Sequence, residues 1–479
     1  MKFDEVADIL VVGSGAAAFS AALTASIRGG KVLMLEKGPI IGGTTLRSGG
    51  GYWIPNNRFQ KELGIIDAKE DALRYMARYS YPQLYNPEDS RLGLPENEFA
   101  LIETYYDRAA EAIDFLADCG ALQSIQEINW TGKPQVDYMD HLPENKAVRG
   151  RVLYARNADG KQGFGGELIR QLKAKAGKQG IKVLTNHRAS KILRNSMEEV
   201  IGLEVIGPDQ KNLKFRANRA VIFGSGGYTH NSELMLHFQP GPSFGGCAAP
   251  TNSGDFIKMA GAIGAKLGNM VGAFRAEIIV EEALADPDGV HNVFYIPGDS
   301  VIEVNRYGRR IMNEKRNYND RTMTHFVWDP QRAEWSNMLV FMIFDQRTAT
   351  LWQGFPPYPV KGVDASYIIT GDSWGELTLA ITQHLSKLAS KTGGFSLDPG
   401  FEDNLKHTVS RFNEFARTGQ DKDFGRGDYN YDREWTTFPP TVPGVEWPPA
   451  GSLNYTMYPL SDQGPYYAII LGAGTLDTN

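Results

Sequence analysis

After its first polar residue, the segment Asp8-Ile-Leu-Val-Val12 is apolar at every position, the pattern of a strand buried on both faces. Ala16 to Arg28 then carries small or apolar residues around the whole helical wheel, and Arg28-Gly-Gly30 ends that helix with residues that tolerate positive φ. A second apolar strand, Lys31-Val-Leu-Met-Leu35, completes a βαβ unit. From Gly38 to Asn57 the chain is rich in Gly, Thr, Ser and Asn, which predicts a long irregular binding loop. Helical periodicity returns from Asp67 to Gly120, with Leu101, Tyr105, Ala109, Ile113 and Leu116 spaced to form one face of a helix over Glu98 to Cys119.

A further helix is expected near Glu167 to Gly177. The runs Lys182 to Leu184, Ser190 to Arg194, Val200 to Ile206 and Leu213 to Arg216 then predict a small antiparallel sheet leading into the strand Ala220-Val-Ile-Phe223. Beyond about Ala276 short strands and helices mix, among them an amphipathic helix from Phe401 to Arg417 with Leu405, Val409, Phe412 and Phe415 on one face and a stop at Gly419. Pro439 to Gly451 reads as a surface loop and Tyr466 to Leu471 as a last strand. A chain of 479 residues exceeds one simple core, so two units are expected: 1–275 with 464–479 returning to it, and 276–463.

Composition narrows the function classes. Hydrophobic residues make up 42% and charged residues 22%, ordinary values for a folded protein. The net charge of −6 comes from scattered acids and no basic cluster forms a phosphate-backbone footprint, so nucleic acid is not an expected partner. Cys119 and Cys247 are the only cysteines and lie far apart, which predicts neither a disulfide framework nor a metal site. The acidic start, Met1 to Val6, is unlike a signal peptide, and no run of about 18 apolar residues occurs. A cytoplasmic protein is expected, with peripheral membrane contact left open.

Between the first strand and helix stands Gly13-Ser-Gly15-Ala-Ala-Ala18, a G-x-G-x-x-A fingerprint in its proper context. Gly13 permits the tight turn and Gly15 the approach of a pyrophosphate. Ala18 lets helix and strand pack closely, while Ser14, Ala16 and Ala17 place backbone N–H groups at the helix start. Glu36 ends the second strand where a carboxylate can accept ribose hydroxyls. Gly and Ala would also serve to pack any helix on a sheet, but strand, turn, helix, strand and terminal acid together favour a dinucleotide. The loop Gly42-Gly43-Thr44-Thr45 to Ser48-Gly49-Gly50-Gly51 can run along a long cofactor, and Gly224-Ser225-Gly226-Gly227 follows a strand as a second backbone contact. Both favour FAD over NAD.

Together with Leu35-Glu36-Lys37, Trp53 to Asn57, Asn305-Arg-Tyr-Gly-Arg-Arg310, Asn313-Glu314 and Asp423-Phe-Gly-Arg-Gly-Asp428, these motifs resemble the flavoproteins of the fumarate reductase and succinate dehydrogenase superfamily. Within it the chain looks like the 3-ketosteroid Δ1-dehydrogenases. The resemblance implies an α/β fold: a Rossmann-like FAD-binding domain, with an antiparallel sheet inserted in its parallel sheet, plus a smaller α+β catalytic domain. It adds Lys37, Ala189, Asn231 and Asp255 to the residues expected to hold FAD. In Asn313-Glu-Lys-Arg-Asn-Tyr318 a tyrosine stands where fumarate reductases are expected to carry a proton-donating arginine, and Asp137-Tyr138, upstream of Gly150-Arg151, matches a second tyrosine of the steroid branch.

The implied reaction desaturates a ring beside its ketone: hydride from the β carbon to flavin N5, proton from the α carbon to Tyr318. A phenol pKa near 10 needs a donor or a cation to stabilise the phenolate. Tyr138 is the expected donor, with Arg316 or Arg321 as the cation. Trp53, Trp130, Phe294 and Tyr295 are expected to line an apolar substrate cavity, without distinguishing a steroid from a smaller cyclic ketone or enoate. A non-catalytic flavin-binding protein is the alternative of another class. The natural electron acceptor is unwritten, a quinone being one candidate. In the resembled family the carbonyl-polarising groups follow a strand like Tyr466 to Leu471. The chain reaches Asn479 about where that segment would begin, so the expectation is a C-terminal piece that is separate or missing.

Overall fold

Two sheets organise the protein in the computed structural model, which describes residues 2–478. Met1 and Asn479, the outermost residues of the segments expected to build the first unit, lie outside the described residues. The first sheet has the order Lys182–Leu184, Val32–Leu35, Glu5–Val12, Asn212–Phe223, Val200–Ile206, Arg188–Arg194. Its first three strands and Asn212–Phe223 run parallel, and the last two pair antiparallel. Val11 points to the face covered by Ala18, Phe19, Ala22 and Leu172, whereas Leu10 and Val12 point to the opposite face with Leu203, Phe215 and Met259. Burial on both faces is the reason the first strand is apolar throughout.

Two expectations about this sheet are corrected. Lys182–Leu184 does not join the antiparallel part; after the helix Gly165–Lys178 it pairs parallel with Val32–Leu35, as a crossover connection requires. Leu213 to Arg216 and Ala220 to Phe223 form one strand, Asn212–Phe223. Its start pairs antiparallel with Val200–Ile206 while its length pairs parallel with Glu5–Val12, so the antiparallel part is continuous with the parallel sheet. The predicted helix over Glu98 to Cys119 spans Glu96–Asp118, but its buried face runs through Ile102, Tyr106 and Leu116, while Leu101 and Tyr105 are exposed. Two registers one residue apart fit the same apolar spacing, and packing against Ala72, Leu73 and Ala77 of Lys69–Ser80 selects one.

The second sheet is antiparallel, in the order Asn292–Val293, Ala273–Ile279, Tyr466–Thr478, Leu339–Asp345, Val301–Val304, with Ile369–Gly371 beside the start of Tyr466–Thr478. The strand Tyr466–Thr478 belongs to the second sheet, and Asp477 near its end lines the cleft of the first unit. Tyr466–Thr478 is the centre of the second, and its end touches the first unit where the Tyr228 N–H donates to Thr478 Oγ1 at 2.7 Å. The helix Phe401–Thr418 covers this sheet with Leu405, Val409, Phe412 and Phe415 buried, and it ends at Gly419, whose φ of 75° suits glycine.

A small sheet has the order Tyr52–Trp53, Val152–Arg156, Ser124–Gln126, with Gln162–Gly163 also paired to Val152–Arg156, so the stretch Gly38 to Asn57 is not wholly irregular. It also contains the short helix Gly43–Arg47. Among the described residues no helix is long and apolar enough to cross a membrane.

Candidate active site

The fingerprint glycines sit where sheet geometry brings two backbones together. Glu5–Val12 and Asn212–Phe223 end side by side, Val12 opposite Phe223, so Gly13 and Gly224 meet. Gly13 has φ +101°, and a Cβ there would lie 2.3 Å from the Gly224 carbonyl oxygen. The helix Ala16–Ile27 starts at Gly15 with no cap from that residue, and its Ala16 N–H donates to Thr45 Oγ1 at 3.1 Å, so its N-terminus faces the cleft with Thr45. Ser14 Oγ donates to Glu36 Oε2 at 2.5 Å and Gly38 N–H donates to Oε1 at 2.7 Å, so the carboxylate faces the cleft in one fixed orientation.

The cleft is lined by Gly13, Ser14, Gly15, Ala16, Ala17, Glu36, Lys37, Gly43, Thr44, Thr45, Ala189, Ser225, Gly226 and Asp255, all expected from the sequence. Lys37 and Arg188 both bind Asp255, whose carboxyl lies below its ordinary value: burial pushes it up, but the Arg188 hydrogen bonds and the Lys37 charge outweigh that. The structure adds His187, Ala249, Thr251, Asn252, Met259 and Asp477, which no local motif announced because they come from segments distant in sequence.

Other expected residues do different work. Ala18 is buried between helix and sheet. Gly42 donates its N–H to Ser14 Oγ, and Ser48 Oγ accepts from Gly50 N–H. Gly50 presses on Gly165 and Gly51 on the Tyr154 ring, while a Cβ on Gly49 would meet open space. Gly227 packs on Thr478. Asn231 caps the helix Ser232–Phe238 through Leu234 N–H, so its amide is spent locally. A buried acceptor, Asn252 Oδ1, has no partner in the cleft, as a site shaped for a further donor would leave it.

The phenols converge from separate units. Tyr318 opens the short helix Tyr318–Met323, whose cap Asn317 accepts from Asp320 N–H at 3.0 Å. Tyr138 comes from the loop between Ser124–Gln126 and Val152–Arg156. That loop is pinned by Arg151, which pairs bidentately with Asp67 at 2.8 Å and also binds Asp137 and Asn145. Trp53 Nε1 donates to Asp137 at 3.0 Å. The Tyr138 hydroxyl donates to the Tyr318 hydroxyl at 2.6 Å.

Around Tyr318 stand the rings of Phe294 (5.2 Å), Phe274 (5.4 Å) and Tyr138 (5.6 Å), with Cys247, Ala276 and Leu476 beneath. Burial pushes the Tyr318 hydroxyl up to about 12, against the Tyr138 hydrogen bond that lowers it. Burial and then the neighbouring Tyr318 and Tyr431 hold Tyr138 well above the ordinary phenol value.

Neither expected arginine stabilises the Tyr318 oxygen. Arg316 binds Asp432 at 3.0 Å and the Tyr138 carbonyl at 2.6 Å, and Arg321 binds Glu277 at 2.9 Å and the Val293 carbonyl at 3.1 Å. Of the four aromatics expected in the cavity, Phe294 touches Tyr318 and Tyr295 lies within its electrostatic reach, packed on Trp435 and Phe438. Trp53 instead stacks on Tyr105 and Trp130 meets Tyr455 edge-on. Phe274, on the strand Ala273–Ile279, Cys247, from a loop, and Tyr431, on the short helix Asn430–Glu434, were not foreseen, since they come from segments distant in sequence.

A glycine cradle, a helix start without an N-cap side chain and a cleft-lining acid beside a two-sheet architecture define a dinucleotide-binding flavoprotein. The chain belongs to the FAD binding domain family, whose model matches residues 8–478, and its cofactor is FAD. It is similar to 4-oxocyclohexanecarboxylate 2-dehydrogenase of Sinomonas cyclohexanicum, 29% identical over 98% of this chain and 82% of that protein. It is also similar to 3-oxosteroid 1-dehydrogenase of Mycolicibacterium smegmatis, 28% identical over 98% and 86%. Among solved structures, 3-ketosteroid delta1-dehydrogenase from Sterolibacterium denitrificans superposes with a TM-score of 0.77 over 99% of this chain and 88% of that one, at 22% identity, a likeness of fold.

Proposed function

We propose that the protein is an FAD-dependent dehydrogenase that introduces a double bond beside a ring ketone, of the kind the names of its relatives describe. The Tyr138–Tyr318 hydrogen bond, set among aromatic rings with no arginine on the reacting oxygen, carries this reading. Gly13, Gly15, Glu36, Thr44, Thr45 and Ser225 hold the FAD, which supplies the acceptor for the hydride of the β carbon. Tyr318 takes the α proton as a phenolate, Tyr138 steadies that anion by donating to it, and Phe274 and Phe294 keep water from the oxygen.

A phenol at about 12 costs about 7 kcal/mol to ionise at pH 7. A turnover of about 10 per second corresponds to a barrier of about 16 kcal/mol, so that cost fits inside it. The test is anaerobic mixing of FAD-loaded protein with a 3-ketosteroid and, separately, with a simple cyclohexanone. Bleaching of the visible flavin bands with formation of a product two hydrogens lighter is expected from at least one of them. An unbleached flavin with both would end the dehydrogenase reading.

A further inference from the structure

Tyr138 sits between two arginine anchors. Before it, Arg151 holds Asp137 together with Asp67. After it, Arg316 closes the turn 138–141: one nitrogen, Nη2, donates to the Tyr138 carbonyl at 2.6 Å and to His141 Nδ1 at 3.1 Å. Nδ1 must be the acceptor, because a guanidinium offers only N–H donors. Among the described residues no backbone N–H donates to the Tyr138 carbonyl, so Arg316 is what fixes it.

Arg316 stands two residues before Tyr318, next to the cap Asn317. One short segment therefore carries both the acceptor phenol and the side chain that holds its donor. The other terminal nitrogen, Nη1, is 3.0 Å from Asp432 and 3.7 Å from Asp140, which aims the guanidinium from a second side. His141 is exposed, its ring 4.4 Å from that of Tyr429, so protons from solvent reach it.

We propose that Arg316 is a positioning residue for Tyr138 and that His141 is its acid-sensitive latch, an inference that rests on the proposed roles of the two tyrosines. Nδ1 is the unprotonated nitrogen of the neutral ring, so the proton arrives there. It removes the acceptor from the nitrogen that holds Tyr138 and sets a second cation at hydrogen-bond distance from the guanidinium. Repulsion turns Arg316 away and releases the Tyr138 carbonyl. The groups facing His141 are Arg316 and the Tyr429 ring, with Asp432 acting through charge. Arg316 itself meets the rings of Tyr429 and Tyr431 at 5.2 and 5.5 Å, as well as Asp140 and, through charge, Asp320; both of these acids are raised from 3.8 by burial. Burial and then the Arg316 charge hold His141 below 6.5, so it is neutral at pH 7.5.

The experiment follows flavin reduction of FAD-loaded protein by a 3-ketosteroid or a simple cyclohexanone from pH 7.5 to 5. In parallel it follows the Tyr138 ring signal by NMR of protein carrying ¹³C at tyrosine Cζ, assigned by its absence in Tyr138→Phe. On acidification the unaltered protein is expected to slow by about tenfold more than His141→Gln, whose glutamine offers Arg316 a neutral acceptor at every pH. The Tyr138 signal is expected to shift over the same range and to stay in place in His141→Gln. Arg316→Met is expected to slow reduction at pH 7.5 by about 10 to 100-fold, the loss expected of Tyr138→Phe, and the double variant to be no slower than Tyr138→Phe alone, because a residue acting only through Tyr138 has nothing further to lose. Parallel pH profiles in the unaltered protein and His141→Gln, a Tyr138 signal that does not shift, or losses that add in the double variant overturn the proposal. Should Arg316→Met not fold, the comparison with His141→Gln decides alone. A Tyr138 signal that shifts as expected while neither ketone reduces the flavin would defeat the dehydrogenase reading and leave the latch intact.

Discussion

Tyr138 and Tyr318 lie 180 residues apart in sequence, yet their hydroxyls share one hydrogen at 2.6 Å, with Tyr138 as the donor. The asymmetry assigns the roles. Burial and two neighbouring phenols keep Tyr138 protonated and so able to donate, and that hydrogen bond lowers the Tyr318 value against its burial.

Replacing Tyr318 by Phe removes the proposed proton acceptor. Flavin reduction by a ring ketone should fall by about 10² to 10⁴-fold, the usual contribution of a positioned base. The FAD content, read from the visible spectrum, should stay unchanged because Tyr318 does not line the dinucleotide cleft.

Below pH 12 the phenolate fraction of Tyr318 grows tenfold per pH unit, so a rate limited by proton abstraction should climb across the alkaline range. In Tyr138→Phe the hydrogen bond to the anion is lost, a loss of about 1.5–3 kcal/mol, which moves the Tyr318 value up by about one to two units. Stopped-flow flavin reduction from pH 7 to 10 should therefore show the same slope at a rate about 10 to 100-fold lower. An unchanged rate in this variant would remove Tyr138 from the mechanism.

Burial pushes the Glu127 carboxyl up to about 8 in the folded protein, from its ordinary 4.5 when unfolded. Between those values the folded state binds the extra proton, so stability is lost as pH rises through this window. Chemical denaturation at pH 5 and at pH 8.5 should show a stability loss on the order of a few kcal/mol that Glu127→Gln lacks.

Arg151 is fully buried and holds Asp67 and Asp137 together. Arg151→Met leaves two buried carboxyls without a counter-charge, at a cost of about 3–5 kcal/mol in folding stability. Because Asp137 adjoins Tyr138, the variant should also lose flavin reduction under conditions where it remains folded, which circular dichroism and flavin bleaching together would reveal.

Gly13→Ala puts a methyl group 2.3 Å from the Gly224 carbonyl oxygen, at a φ of +101° that alanine strongly disfavours. The purified variant should carry little FAD, and added FAD should restore the flavin spectrum poorly.

Much of the dinucleotide cleft was legible in the chain because its parts are local. Gly13 to Ala18 and Glu36 occupy one βαβ unit, where strand, turn and helix geometry fix their spacing before any distant segment arrives. The residues that proved to be caps or packing contacts, such as Asn231 and Gly227, share the composition of ligand-binding ones, and only their partners Leu234 and Thr478 distinguish them. The helix face through Ile102 and Tyr106 could likewise be chosen only against Lys69–Ser80.

By itself the sequence determined the nucleotide-binding turn, the nature of the strands around it and the two tyrosines worth watching. Tertiary structure alone decided that Tyr466–Thr478 runs through the middle of the second sheet and that Arg316 and Arg321 are engaged by Asp432 and Glu277. The reason is physical: turn and helix preferences act over a few residues, whereas burial, charge pairing and the environment of an ionisable oxygen depend on which remote segments close around it.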